Sequence, residues 1–90
     1  MLRARRFLVS GRVQGVGFRF FVHEHASVEG LSGWVSNRPD GRVEVFAEGE
    51  SASVERLERK IRRGPGAARV DEVDVFDEAP SGRVGEFAIR

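Results

Sequence analysis

A glycine-rich segment near the start of the chain carries residue types that can hold an anion. Residues 11–19 read Gly-Arg-Val-Gln-Gly-Val-Gly-Phe-Arg and lie between an apolar run and a helical pattern. Glycines let backbone N–H groups converge, and the first turn of a helix adds unpaired N–H groups and the positive end of its dipole. Arg19, in that turn, offers a planar fork of donors that fits phosphate oxygens. The segment predicts a phosphate cradle; on spacing alone, an ordinary left-handed turn with a surface arginine is the alternative.

Other phosphate-binding and nucleotide-binding motifs do not fit this segment. A Walker loop continues with Gly-Lys-Ser/Thr, whereas Gly17 is followed by Phe18 and Arg19. A dinucleotide-binding fingerprint requires a third glycine where Phe20 stands. The RNA-recognition signature of basic, glycine and aromatic residues resembles residues 15–21, but it belongs on a third strand and not between a first strand and a helix. RNA binding is therefore the least favoured interpretation.

Three further polar side chains are candidates for chemistry: Asn37, His23 and His25. Asn37 precedes a turn at residues 38–41, so its local sequence alone favours a turn role over catalysis. The two histidines stand i, i+2 on the predicted helix, roughly 200° apart, and cannot bind one metal together. His25 lies on the apolar stripe and is expected to be partly buried and hydrogen-bonded, whereas His23 is expected at the surface.

Hydrophobic periodicity and turn residues place the first half of the chain on a strand, a helix and a hairpin. The apolar run that begins at Phe7 predicts the first strand, and the stripe that begins at Phe18 predicts a helix closed by Gly30. Phe20 lies off that stripe and is expected to be partly exposed near the mouth of the site. Two strands follow, joined by the turn residues Pro39-Asp40-Gly41, with the second strand ending at Gly49.

The second half of the chain repeats the helix and strand and completes a β-α-β-β-α-β order. Ser51 or Ser53 is predicted to cap a helix that ends at Gly64. A strand follows, and residues 86–90 are an optional fifth strand. The acidic run from Asp71 to Glu78 suits a solvated edge strand, where charge discourages sheet-to-sheet association. This is the ferredoxin-like α+β plan, with two helices on one face of a mostly antiparallel sheet of four or five strands.

Composition limits the classes of function that remain. Ninety residues, of which 40% are hydrophobic and 32% charged, are expected to form a single domain over residues 1–90. The chain has no cysteine, which excludes disulfides, thiolate metal sites and cysteine nucleophiles. A formal net charge of +1 argues against nucleic-acid binding through net charge, although five arginines and no acid precede Glu24. Because no apolar run approaches the ~18 residues of a membrane span, a cytoplasmic protein is expected. A monomer is expected because the only obvious functional surface is a loop.

Three segments together resemble the acylphosphatase family. They are residues 11–19, residues 30–37 (Gly-Leu-Ser-Gly-Trp-Val-Ser-Asn) and residues 40–44 (Asp-Gly-Arg-Val-Glu), and the similarity extends to the Phe-x-Ile-Arg end at residues 87–90. The resemblance implies a small ferredoxin-like enzyme that hydrolyses the carboxyl-phosphate anhydride of acyl phosphates to a carboxylate and inorganic phosphate. It implies no metal and no cofactor, and a small-molecule acyl phosphate as the binding partner.

The resemblance also implies roles for individual residues. Arg19 matches the family's phosphate-binding catalytic arginine, and Asn37 matches the asparagine that orients the attacking water. The substrate-binding amide cradle corresponds to Gln14, Gly15, Val16, Gly17 and Phe18. A carboxylate is a good leaving group, so such an enzyme mainly holds the phosphoryl group and places one water, without a strong base. The sequence offers no dedicated pocket for the acyl group, and low acyl selectivity is expected.

Two other functions stay open on the sequence. One is a binding module that kept the cradle for phosphate or carbamoyl phosphate and lost turnover; a similar domain begins the carbamoyltransferases that mature hydrogenases. The other is an RNA-binding ferredoxin-like domain. The presence of both Arg19 and Asn37 favours turnover over either alternative.

Overall fold

The computed structural model describes residues 1–82 and 85–90. Its elements, in chain order, are β1 (Leu2–Arg12), α1 (Phe18–Val28), β2 (Ser32–Asn37), β3 (Val43–Glu50), α2 (Ser51–Arg63), β4 (Arg69–Glu78) and β5 (Phe87–Ile89). The prediction of a ferredoxin-like α+β fold with two helices is confirmed. No helix in the described ranges is long and apolar enough to cross a membrane.

The five strands form one mixed sheet in the order β4-β1-β3-β2-β5. Every neighbouring pair is antiparallel except β2 and β5, which run parallel from the pair Gly33 and Phe87 to the pair Val35 and Ile89. The optional fifth strand therefore exists, although it is short. The acidic strand β4 lies at the sheet edge, as predicted, with its charged side chains largely exposed.

One face of the sheet packs against both helices and forms the hydrophobic core. Strand alternation sends every second side chain of β1, β2 and β3 to this face, so that Phe7 and Val35 flank Val45 across the sheet. The apolar faces of α1 and α2 pack against this face of the sheet and complete the core. The core side chains are Phe7, Val9, Val13, Phe18, Val22, Ala26, Leu31, Val35, Val43, Val45, Ala47, Val54, Leu57, Ile61 and Phe87.

Strand direction brings two distant parts of the chain to one end of the sheet. Both β1 and β2 pair antiparallel with the β3 strand between them, so they run in the same direction and their C-terminal ends lie at the same end of the sheet. β1 leads there into the glycine-rich turn, and β2 ends there at Asn37. The end of the sheet at which β1 and β2 finish therefore holds both halves of the predicted site.

The start of α2 differs from the prediction. The helix begins at Ser51, with Glu50 in the N-cap position and no side-chain cap. Because β3 continues through Glu50 rather than ending at Gly49, the helix follows the strand without a loop, and the Ser51 amide donates instead to the Met1 carbonyl at 2.8 Å. Ser53 lies inside the helix, buried, and accepts a hydrogen bond from Arg56 at 3.2 Å. Neither serine is a cap.

Candidate active site

The glycine-rich segment forms the turn between β1 and α1. Gly15 and Gly17 have φ angles of 73° and 78°, in the left-handed region that disfavours any side chain. A Cβ at either position would meet no atom within 4 Å, so glycine is required by the backbone conformation and not by a shortage of space. Gly17 is also the N-cap of α1, which leaves the helix without a side-chain cap.

The first turn of α1 leaves backbone donors free beside this turn. The first helical bond runs from the Phe21 amide to the Gly17 carbonyl at 3.0 Å. The amides of Phe18 and Arg19 precede that bond and have no intrahelical acceptor. No acidic residue stands in the first turn to compete for them. Because the positive end of the helix dipole lies at the same place, the turn favours an anion.

The side chains of the cradle residues anchor the turn rather than contact a ligand. Val13 and Phe18 are buried in the core on either side of it, and Val16 packs against the same core. These apolar contacts hold the turn from beneath. The exposed part of the segment is mainly backbone, at Gly15 and Gly17.

The side chain of Arg19 is half-buried, and one nitrogen of its guanidinium is hydrogen-bonded to the main chain. Its Nη1 donates to the carbonyl oxygen of Arg90 at 2.9 Å, and the Arg90 amide donates to the Val35 carbonyl at 2.8 Å. That carbonyl is therefore positioned by the pairing of β5 with β2. A guanidinium has five N–H donors, so one bond fixes its orientation and the others stay available to an anion. The sequence carries no signal for this backbone contact.

Asn37 ends β2, and its side chain lies on the same face of the sheet as Val35. It lines a concavity of about 170 Å³ together with Gly15, Gly17 and Arg19. Its Oδ1 is buried and has no hydrogen-bond partner among the described residues. Leaving a buried acceptor unpaired costs about 1–3 kcal/mol, so a hydrogen bond donated to this oxygen by a water or a ligand stabilises the site.

Gln14 connects the two halves of the concavity. Its Nε2 donates to the carbonyls of Arg38 and Arg42 at 2.8 and 3.0 Å, and those two residues are themselves bonded across the hairpin, from the Arg38 amide to the Arg42 carbonyl at 2.8 Å. Both amide protons of the side chain are thus used, and only the backbone of Gln14 can contribute to a cradle. Sequence reasoning placed Gln14 in the cradle but missed this connection.

The hairpin after Asn37 is stiffened by its own turn residues. The carboxylate of Asp40 accepts hydrogen bonds from the Arg42 amide at 3.0 Å and from its guanidinium at 2.7 and 3.0 Å. These bonds, the side-chain one first, lower the pKa of Asp40 to about 2. Gly41 completes the turn with a φ of 92°. The predicted turn chemistry is present, and it fixes the strand end that carries Asn37.

The basic N-terminal segment does not act as one positive surface. Arg5 donates to Glu58 at 2.7 Å and to Asp77 at 3.0 Å, and its hydrogen bond to Asp77 is the main cause of the raised pKa of Arg5. Arg6 lies 3.3 Å from Glu44 on the other face of the sheet. Because Arg5 and Arg6 are neutralised locally, the attraction for an anion at the turn comes from Arg19, the adjoining helix end and the exposed Arg12 that ends β1.

The histidines lie outside the concavity. His25 is half-buried, as predicted, and its ring stands edge-on to Phe21 at 4.5 Å. The prediction of an exposed His23 is wrong, because β5 covers that side of α1 and Phe87 packs 6.4 Å from the His23 ring. Within residues 1–82 and 85–90, no three His, Cys, Asp or Glu side chains are grouped as metal ligands.

Comparisons with known proteins agree on one family. The Acylphosphatase family model matches residues 5–89. A relative named acylphosphatase, from Koribacter versatilis, is 56% identical over 86 residues, which are 94% of this chain and 77% of that protein. The crystal structure of acylphosphatase from Bacillus subtilis is similar at a TM-score of 0.92 and 40% identity, covering 100% of this chain and 99% of that one.

A domain of this kind also occurs within a longer protein. Full-length HypF, solved in a phosphate- and nucleotide-bound form, matches with a TM-score of 0.89 and 33% identity. The match covers 100% of the present chain but 12% of HypF. The fold and much of the sequence are therefore shared by free-standing proteins and by one part of a larger one.

Proposed function

This chain belongs to the acylphosphatase family and is an acylphosphatase, and we propose that its reaction takes place in the concavity between the glycine turn and Asn37. The observation that carries the proposal is the shared lining: Arg19 and Asn37 both line the same 170 Å³ space, and the Oδ1 of Asn37 has no hydrogen-bond partner among the described residues. The guanidinium of Arg19 suits the anionic phosphoryl group, and the carboxamide of Asn37 suits the attacking water. Acyl phosphate hydrolysis requires both of these to be bound.

The phosphoryl group of the substrate occupies the cradle. Backbone amides of residues 14–18 and the free donors of Arg19 donate hydrogen bonds to its charged oxygens, with Gly15 and Gly17 allowing the backbone to approach closely. The bond from Arg19 to the Arg90 carbonyl orients the guanidinium before the substrate arrives. Preorganised donors of this kind stabilise charge that develops on the phosphoryl oxygens in the transition state.

Asn37 places the attacking water. Its Oδ1 accepts a hydrogen bond from the water, and its amide group can donate to a phosphoryl oxygen at the same time without adding charge to an anionic site. Gln14 acts as a positioning residue, since its two bonds to the hairpin hold Asn37 at a set distance from the turn. A misplacement of about 1 Å at such a site can cost on the order of a hundredfold in rate.

The reaction balances without a side-chain base. The water oxygen forms a bond to phosphorus, the bond from phosphorus to the bridging oxygen breaks, and the carboxylate leaves with the electron pair. A carboxylate is stable unprotonated at neutral pH, so it needs no general acid. The proton of the water passes to an oxygen of the phosphoryl group. In the described part of the chain, the side chains lining the concavity include no carboxylate and no histidine, which supports this route.

The test is hydrolysis of benzoyl phosphate in the presence of a chelator. The wild-type protein is expected to keep its activity, and Arg19→Ala is expected to lose nearly all of it. Arg59→Ala is the matched control, because Arg59 is an exposed arginine of α2 that does not line the concavity. Activity that disappears with the chelator, or that survives in Arg19→Ala, would contradict a metal-independent reaction at this cradle.

We also propose a cytoplasmic, monomeric single domain over residues 1–90 without a nucleic-acid partner. The acidic exposed edge at β4 supports a monomer, because like charges oppose edge pairing. On the open sheet face Arg6 and Arg38 both pair with Glu44, which leaves less positive charge there for nucleic acid. Light scattering, cell fractionation and salt-dependent RNA titration test the three statements.

A further inference from the structure

Phe20 is an exposed aromatic ring at the mouth of the concavity. It occupies the first turn of α1, directly after Arg19, and its side chain is 69% exposed. It lines the same space as Arg19 and Asn37. Sequence reasoning expected partial exposure here, and the structure adds that the ring borders the proposed reaction site.

Phe76, the other exposed aromatic side chain among the described residues, and the half-buried Trp34 each contact an arginine. Phe76 lies under the guanidinium of Arg6, 4.5 Å from its ring centre, and Trp34 lies under Arg90 at 4.6 Å and stacks with Phe46. None of the ring or cation contacts found in residues 1–82 and 85–90 involves Phe20. Its face is therefore open to a ligand.

The geometry of α1 directs the ring toward the site. Side chains of a helix lean toward its N-terminus, which for Phe20 is the side of the glycine turn. Arg19 and Phe20 are about 100° apart around the axis, so the cation and the ring flank neighbouring parts of the mouth. When the phosphoryl group lies in the cradle, the acyl group extends outward past this mouth, because the leaving oxygen stands opposite the attacking water.

From this placement we infer that Phe20 forms the acyl-group subsite and favours acyl phosphates with an apolar, preferably flat, acyl group. The inference rests on the function proposed above and names the substrate class of that site. Arg19 is the one charged side chain among the described residues that line the concavity, and the phosphoryl group uses it. The side chain that the acyl group meets at the mouth is then the Phe20 ring, which suits an aromatic or branched acyl group better than acetyl or a charged one.

The test compares two substrates on the same variants. We expect Phe20→Ala to lower the ratio of kcat/KM for benzoyl phosphate to that for acetyl phosphate by about 3- to 10-fold, the range typical of one aromatic contact. Phe20→Leu should lower it less, because leucine retains apolar area without the ring. Phe76→Ala, which removes an aromatic ring from the opposite face of the sheet, is the matched control and should leave the ratio unchanged.

Inorganic phosphate separates failure of the subsite from failure of the site. The inhibition constant of phosphate should be the same in wild type and Phe20→Ala, since phosphate has no acyl group. An unchanged substrate ratio in Phe20→Ala would overturn the inference while leaving the proposed function intact. A ratio that falls equally in Phe76→Ala would also overturn it, because the effect would not be local. Hydrolysis of neither substrate by wild type would instead refute the proposed function.

Discussion

The Asn37→Ala variant is expected to lose turnover without losing stability. Most buried polar groups are satisfied, and truncating one breaks a hydrogen bond within the fold. The Oδ1 of Asn37 has no such bond to lose among the described residues. An unpaired buried acceptor costs about 1–3 kcal/mol, and removing it offsets the packing lost with the side chain. We therefore expect a free energy of unfolding within about 1 kcal/mol of that of wild type, which is a change in Tm of at most roughly 8 °C.

The effect of the same change on catalysis is much larger. Removing one preorganised hydrogen-bonding group from a transition state typically costs about 2.7–4 kcal/mol, or a factor of roughly 10²–10³ in kcat. Affinity for inorganic phosphate depends mainly on the cradle amides and on Arg19, which the substitution leaves in place, and only the single bond from the Asn37 amide is lost. The inhibition constant of phosphate should therefore rise by no more than about tenfold, a change of about 1.4 kcal/mol.

Three measurements on two variants test this reasoning. Benzoyl phosphate hydrolysis gives kcat, competition by phosphate gives its inhibition constant, and urea unfolding gives the free energy of unfolding. Ser36→Ala is the matched control, because Ser36 precedes Asn37 on β2, lies opposite Glu44 on the other face of the sheet, and contacts the main chain of Asn37, through a hydroxyl that donates to its carbonyl at 3.3 Å. It should leave kcat and the inhibition constant unchanged.

Two results would refute the argument. A kcat within tenfold of wild type in Asn37→Ala would mean that this side chain does not place the water. A loss of more than 2 kcal/mol of unfolding free energy would mean that the carboxamide is a structural group with partners in the fold, contrary to its unpaired oxygen.

Four other variants test separate parts of the structure. Arg19→Lys keeps the charge but loses the planar fork, so the phosphate inhibition constant should rise and kcat/KM should fall by at least ~10-fold; an unchanged constant would count against a bidentate contact. Gln14→Ala should lower kcat more than it weakens phosphate inhibition, because it removes the two bonds to the hairpin that carries Asn37 and leaves the donors to phosphate in place. An equal effect on both would assign Gln14 to binding alone. The pKa of Asp40 is lowered on folding from 3.8 to about 2, so the ionised carboxylate stabilises the fold above pH 3.8, and this contribution is lost as the pH falls toward 2. Between pH 3.8 and 2, the Tm of Asp40→Asn should therefore fall less than the Tm of wild type. His25→Ala should cost about 1 kcal/mol in urea unfolding through its lost contact with Phe21, with kcat unchanged; a fall in kcat would place His25 in the reaction.

Local patterns were sufficient for the elements that depend on near neighbours in sequence. The apolar stripe from Phe18 identified α1, and Gly15 and Gly17 adopt the left-handed conformation that the turn needs. The turn at residues 39–41 and the acidic edge strand were predicted for similar reasons. Helical spacing, turn chemistry and charge at an edge are properties of a few adjacent residues, so a sequence displays them directly.

Boundaries between adjoining elements were less predictable. Ser51 resembled a helix cap, but β3 continues into α2 and the Met1 carbonyl takes the Ser51 amide. His23 resembled a surface residue, but a short parallel strand covers it. In each case the deciding partner comes from a part of the chain far away in sequence. A local pattern contains no information about such a partner.

Taken alone, the sequence determined which residue types could hold a phosphoryl group and which could place a water, through the glycine turn, Arg19 and the resemblance that singled out Asn37. Only the tertiary structure decided that these residues share one concavity, because β1 and β2 run in the same direction on either side of β3 and finish at the same end of the sheet. It also decided that Gln14 connects the turn to the hairpin. Hydrogen bonds of this kind depend on strand direction and register, which long-range packing sets.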